Sequence, residues 1–147
     1  MNYNQNDIGA KLTPVWGGIS AALAGGTGDA TKATGVGIDT LGYDSAKAIF
    51  FINTTLASGK RLDAQIEYQF SANNSDFDTA VALFSDTVAT AAGGAVTAGG
   101  YELSFDLDLQ HQKRYVRFNY TPDLNATGTD LAYAQWGLVL GGHYTNV

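Results

Sequence analysis

Cysteine is absent from the sequence, proline occurs twice, and charged residues make up only 15% of it. Each shortage excludes something. Without cysteine there is no disulfide framework, no thiolate metal site and no cysteine nucleophile, and the lack fits synthesis in a reducing cytoplasm. Eight Lys and Arg stand against 14 Asp and Glu, a net charge of −6. That balance lacks the basic footprint of a nucleic-acid binder. The nearest approach to a basic patch is Lys113, Arg114 and Arg117. On a strand Lys113 and Arg117 share one face and Arg114 takes the other. No apolar run approaches the ~18 residues that a membrane-spanning helix needs. Residues 1–7 have neither the positive start nor the apolar stretch of a secretory leader, so none is expected.

Signs of catalysis are equally sparse. No G-x-S-x-G, P-loop or H-E-x-x-H pattern is present. Gly25-Gly26-Thr27-Gly28 has no strand before it and no Gly-Lys-Ser/Thr after it, so it is no phosphate loop. His111 and His143 are the only histidines, and neither has a serine or acid partner at a recognisable spacing. The pattern points to an assembly protein rather than an enzyme, with no catalytic residue, no cofactor and no metal.

What the chain does have is glycine, 18 of 147 residues, about twice the usual share. The length suits one domain, and the character of the sequence changes near residue 38. Residues 1–37 read as a glycine-rich N-terminal arm punctuated by single apolar side chains: Tyr3, Ile8, Leu12, Val15, Trp16, Ile19 and Leu23. These seven are the candidate contacts with a capsid or with other subunits. A purely flexible tail has little use for Trp16 set among Pro14, Val15 and Ile19, so ordering against a partner is expected, Trp16 being the anchor. A chain without residues 2–32 is expected to fold.

From residue 38 to 147 the period is two, and the expected fold is all-β: an antiparallel, jelly-roll-like sandwich of seven to eight strands carrying the extended arm. In residues 61–71, Leu62, Ala64, Ile66, Tyr68 and Phe70 face one way, with Arg61, Asp63, Gln65, Glu67 and Gln69 opposite. Residues 101–110 repeat this with Tyr101, Leu103, Phe105, Leu107 and Leu109. Such alternation marks strands with one face in a core and one in water. Residues 46–56 and 131–140 are apolar on both faces, as for strands covered on both sides. Residues 36–40, 80–85 and 114–121, the last ended by Pro122, complete the set. Residues 88–100 carry no charge and read as a long loop, a second contact surface.

Carboxylates offer two further readings. Glu102, Asp106 and Asp108 line one polar strand face, and Asp63 and Glu67 another. Were those strands neighbours, a pair would reach a glycosidase-like separation of about 5–10 Å, though any half-exposed strand alternates this way. Asn73-Asn74-Ser75-Asp76-Phe77-Asp78 offers hard oxygens for calcium but lacks the EF-hand spacing, and a plain Asx-rich turn is the simpler reading.

Three runs carry a resemblance. Asp39-Thr40-Leu41-Gly42-Tyr43-Asp44 leads into an apolar strand. Leu62-Asp63-Ala64-Gln65-Ile66-Glu67-Tyr68-Gln69-Phe70-Ser71 is followed by Asn74-Ser75-Asp76-Phe77-Asp78. Lys113-Arg114-Tyr115-Val116-Arg117-Phe118-Asn119-Tyr120 precedes a closing apolar strand over residues 134–141. Over residues 36–141 the chain resembles capsid decoration (cement) proteins of tailed bacteriophages. The resemblance implies a structural virion protein on the outer capsid surface, made in the host bacterial cytoplasm. Its implied partners are the major capsid protein and two further copies of itself in a homotrimer, with neither nucleic acid nor membrane. A carbohydrate- or receptor-binding module, stacking sugars on Tyr43, Tyr101, Tyr133, Trp136 or Tyr144, is the alternative, and a glycan hydrolase comes third.

Overall fold

The computed structural model describes residues 11–26, 30–125 and 130–142, with backbone alone at residues 96–98. Ten strands follow one another: β1 (Thr13–Ile19), β2 (Leu23–Ala24), β3 (Ala33–Thr34), β4 (Ile38–Asp39), β5 (Ser45–Leu56), β6 (Arg61–Ser71), β7 (Val81–Thr90), β8 (Val96–Asp108), β9 (Tyr115–Leu124) and β10 (Leu131–Gly141). They form an all-β sandwich of two antiparallel sheets. Sheet A has the order β1-β10-β5-β8, with β2 also on β10, and sheet B the order β3-β9-β6-β7, with β4 also on β9. No α-helix occurs among the described residues.

Period two explains the long strands. On β6, Leu62, Ala64, Ile66 and Phe70 are buried, and on β5, Ala46, Ala48, Phe50, Ile52 and Leu56. Leu138, Leu140 and Trp136 do the same on β10. The sheets meet around an aromatic cluster. Phe50 stacks on Trp136 at 5.6 Å between ring centroids and meets Phe118 edge-on at 5.8 Å. Each such side chain contributes about 1.5–3 kcal/mol by leaving water.

Residues 13–39, most of them read from the sequence as an arm, supply four of the ten strands. Glycine hides β1 from a periodicity search, and the glycines are there for Trp136. A Cβ on Gly17 would lie 2.8 Å from Trp136 Cδ1. After β1 the chain crosses from sheet A to sheet B and is bonded to both. The Ala30 N–H donates to Pro122 O (2.6 Å), Gly35 N–H to Phe118 O (2.8 Å) and Val36 N–H to Gly17 O (2.9 Å).

Two other expectations are corrected. The long uncharged loop is not one: β7 runs to Thr90 and β8 begins at Val96, so only residues 91–95 connect the sheets. Alanine, threonine and glycine without charge carry no strand signal, although their backbones pair with β6 and β5, with one register shift in each ladder over this stretch. Nor does Pro122 end β9, which continues to Leu124. Pro122 O accepts from Ala30, and a residue's N and O point to the same side of a strand. The missing N–H therefore faces the edge flank rather than β6, where proline is tolerated.

Candidate docking face

The inward rows of β1, β10 and β5 are spent on the core, so their outward rows define what sheet A presents. Registers place these rows side by side. Ile19, Gln135, Phe51 and Glu102 form one row across the sheet, and Trp16, Gly137, Ile49 and Ser104 the next. Pro14, Val139, Lys47 and Asp106 follow. Ile19 is 60% exposed, Trp16 56% and Phe51 48%. A shallow groove of about 330 Å³ runs between Trp16, Phe51, Ile49 and Val139, floored by Gly137, above which the Val15 carbonyl leaves no room for a side chain. The β8 end of the rows is polar: Glu102 follows Phe51, and Asp106 pairs with Lys47 at 2.6 Å. The expectation that β5 and β10 are covered on both faces is thus corrected for the chain alone. Their outer face is open, and apolar around Ile49, Phe51 and Val139.

Of the seven arm residues, the structure brings Leu12, Trp16 and Ile19 to this face, Leu12 lying against Gly141. Val15 turns inward and packs on the core. Leu23 is half-buried beside β10, opposite Ala132. Tyr3 and Ile8 lie outside the described residues. The sequence reading missed Ile49, Phe51 and Val139. Their signal was present in strands apolar on both faces.

The remaining candidates disperse. Glu102, Asp106 and Asp108 belong to sheet A while Asp63 and Glu67 belong to sheet B, so their outward faces point away from each other and no glycosidase pair forms. Asp63 is bonded to Arg61 (2.8 Å) and Thr87 (2.5 Å). The Asn73 loop is closed on itself: Asn73 Oδ1 accepts from the N–H groups of Ser75 (3.0 Å) and Asp76 (2.9 Å), and its Nδ2 donates to Asp76 (2.7 Å). That is an Asx turn rather than a cation loop. No group of three or more His, Asp or Glu among the described residues is placed to hold a metal. His111 occupies a tight turn with φ of 65°, and His143 lies outside the described residues.

All three cations of the supposed basic patch have partners. Lys113 pairs with Asp78, Arg114 donates to both oxygens of Asp39, and Arg117 lies 3.8 Å over the Phe77 ring. Among the sugar-stacking candidates, Trp136 is only 1% exposed and is a core residue. Tyr101 is half-buried, Tyr43 donates its hydroxyl to Thr13 (3.0 Å) and Tyr144 lies outside the described residues. Of the four that are described, Tyr133 alone is open, at 37%. No described helix is long and apolar enough to cross a membrane.

No family model matches the chain, and no curated protein does. Among solved structures, it is similar to the infectious bursal disease virus Gt strain at 12% identity and a TM-score of 0.49, over 93% of this chain and 34% of that one. The VP2 subviral particle of the same virus gives 12% and 0.48 over 90% and 33%. The CBM22-1–GH10 modules of Clostridium thermocellum xylanase 10B, complexed with xylohexaose, give 12% and 0.44 over 93% and 27%. The chain thus spans about a third or less of the length of the chains it matches.

Proposed function

We propose that this chain is a structural, non-catalytic virion protein that binds the outer surface of a tailed-phage capsid, stabilises the shell, and applies the outer face of sheet A to the major capsid protein. The observation that carries the docking role is the open apolar face around Trp16, Ile19, Ile49 and Phe51. A monomer gains nothing from exposing such side chains in adjoining rows, and contiguous apolar surface marks an interaction site. The capsid as partner comes from the sequence resemblance over residues 36–141. A protein of this kind needs no strong single site, because weak contacts repeated over a lattice add up through avidity.

Electron microscopy of the protein mixed with empty shells of its own phage tests the reading. Ordered density on the outer surface is expected, with sheet A facing the shell. Trp16→Ala and Phe51→Ala are expected to lower occupancy without unfolding the protein. Unlabelled shells at saturating protein, or full occupancy by both variants, would sink it. Trp16 and Tyr133 on the same sheet are what a sugar-binding module would use. Glycan binding abolished at Tyr133→Ala, with no shell binding, would favour that alternative.

A further inference from the structure

Sheets need their edges covered, and three of the four edges here carry devices that prevent pairing with another chain. β1 is seven residues long, contains Pro14, is irregular between Trp16 and Gly18, and has its Gly17 carbonyl capped by Val36. β3 and β4 have two residues each. β7 shifts register twice against β6, at Leu62/Asp63 and Ile66/Glu67. β8 differs. It has thirteen residues, bonds among the described residues to β5 alone, contains no proline or lysine, and keeps regular register from Asp108 to Gly99. Long flat edges of this kind are templates for another strand.

A second observation sits beside it. On the β1 side of the sandwich, Phe118, Tyr120 and Trp136 are sealed off. Between β7 and β8 they have no counterpart: Leu83, Phe84, Tyr101, Leu103 and Phe105 pack on the core but are only partly buried. Val81 is 49% exposed there. Phe84 and Phe105 meet across the seam at 6.4 Å, and nothing further out covers them among the described residues.

We infer that this seam is a self-association surface, in which β8 of one copy pairs antiparallel with β8 of a second about a two-fold axis at Leu103. The Leu109 N–H donates to Asp44 O. Because backbone groups alternate sides along a strand, odd residues of β8 turn theirs to β5 and Gly100, Glu102, Ser104 and Asp106 turn theirs to the open edge. The carboxylates then choose the register, since like charges directly opposite destabilise a pair. An axis at residue 102, 104, 105 or 106 sets carboxylate against carboxylate. An axis at Leu103 sets Glu102 against Ser104 and Asp106 against Gly100. It also brings Tyr101 opposite Phe105 in the seam, an aromatic cross-strand pair that the two-fold makes twice, where an axis at Tyr101 would make a single Tyr101–Tyr101 pair. A closed ring of three would need a second open edge on every copy, and β1 is guarded. The two-fold therefore stands in place of the trimer implied by the resemblance. The inference does not depend on the capsid reading. A two-fold normal to the sheet keeps both Trp16–Phe51 faces on the same side.

The cysteine-free sequence makes the test clean. Wild-type protein is expected to sediment at twice its 15.5 kDa mass. Leu103→Cys places two thiols opposite each other at a non-hydrogen-bonded pair, where Cα atoms lie about 4.5 Å apart, and is expected to cross-link on mild oxidation. Glu102→Cys, one step off the axis, is expected not to. Ser104→Pro removes an N–H from the open edge and none from the β5 ladder. It is expected to weaken association by about tenfold or more with an unchanged circular dichroism spectrum. If Ser104→Pro fails to fold, the two thiol variants still decide. A single-chain mass at the highest soluble concentration, a three-chain mass, or equal cross-linking of the two thiol variants would overturn the proposal.

Discussion

Gly18 and Trp136 are shaped for one another: a Cβ on Gly18 would lie 2.6 Å from Cζ2 of the indole. Gly35 is fitted as closely. Its Cβ would fall 2.5 Å from Gly17 O and 2.8 Å from Trp136 Nε1. Three glycines from two stretches of chain thus make the slot that holds the largest core side chain, on the opposite side of its ring from Phe50.

Gly35→Ala is expected to destabilise the fold by about 1–3 kcal/mol, the usual effect of overpacking where backbone has to move. Gly93 has nothing within 4 Å of its Cβ position, and Gly93→Ala is expected to stay within about 0.5 kcal/mol of wild type. Urea titration of the two side by side decides it. Equal midpoints would mean the slot yields freely.

Phe50 and Phe51 are consecutive and face opposite ways, one fully buried and the other 48% exposed. Phe50→Ala is expected to lose about 3–5 kcal/mol of stability. Phe51→Ala is expected to change it by about 0.5 kcal/mol or less while weakening shell attachment. Thermal melts and shell co-sedimentation separate the two roles.

Deleting residues 1–20 removes β1, uncovers the edge of β10 and opens the Trp136 slot. The sequence alone led to the expectation that a chain without the arm folds. The registered pairs from Thr13–Leu140 to Ile19–Gln135 reverse it. The truncated chain is expected to melt well below wild type or to aggregate. A cooperative, unshifted melt would show that β1 is dispensable.

Arg114 holds the Asp39 carboxyl below its ordinary value of 3.8 by donating to it. A carboxylate depressed in the folded state stabilises the fold above its unfolded pKa, about 3.9, and that contribution disappears as pH falls through the lower folded value. Asp63 adds to the same window: burial pushes its carboxyl up, but the Thr87 hydroxyl and Arg61 outweigh it. Stability is expected to be level near neutrality and to decline below about pH 4. Asp39→Asn is expected to show the shallower decline. An identical acid slope in both proteins would remove Asp39 from the account.

Burial pushes the Tyr120 phenol upward, and its hydroxyl finds no hydrogen-bond partner among the described residues. A raised value means that stability is complete below the unfolded pKa, about 10, and is lost as pH rises above it. Tyr120→Phe is expected to match or exceed wild-type stability at pH 7, since an unpaired buried hydroxyl is a cost. It is also expected to resist alkali better. A clear loss at pH 7 would reveal a partner for the hydroxyl.

The sheets were legible wherever side chains alternate. β6 and β8 lie where Leu62 to Phe70 and Tyr101 to Leu107 place them. Legibility failed where glycine or alanine replaced the alternating side chain, in β1 around Gly17-Gly18 and in β8 around Gly99-Gly100. The backbone still pairs there, with a register shift beside each glycine pair, but the reason for the small residue is a distant indole or a neighbouring strand. The docking face was half legible. Trp16 and Ile19 stood out as apolar residues in a polar context, whereas Phe51 and Val139 were hidden by the equally apolar residues beside them, which face the core.

The pairing of Thr13 with Leu140 has a consequence for the order of events during synthesis. Of the ten described strands the ribosome delivers β1 first and its hydrogen-bonding partner β10 last. For most of translation the segment with Trp16 and Ile19 has no sheet partner, and the slot made by Gly17, Gly18 and Gly35 has no indole to fill it. Sequence separations this large slow folding and leave apolar strands open to wrong partners. Sparse apolar residues spaced by glycine are well suited to such a wait, because they offer little for a stray strand to adhere to until β10 arrives.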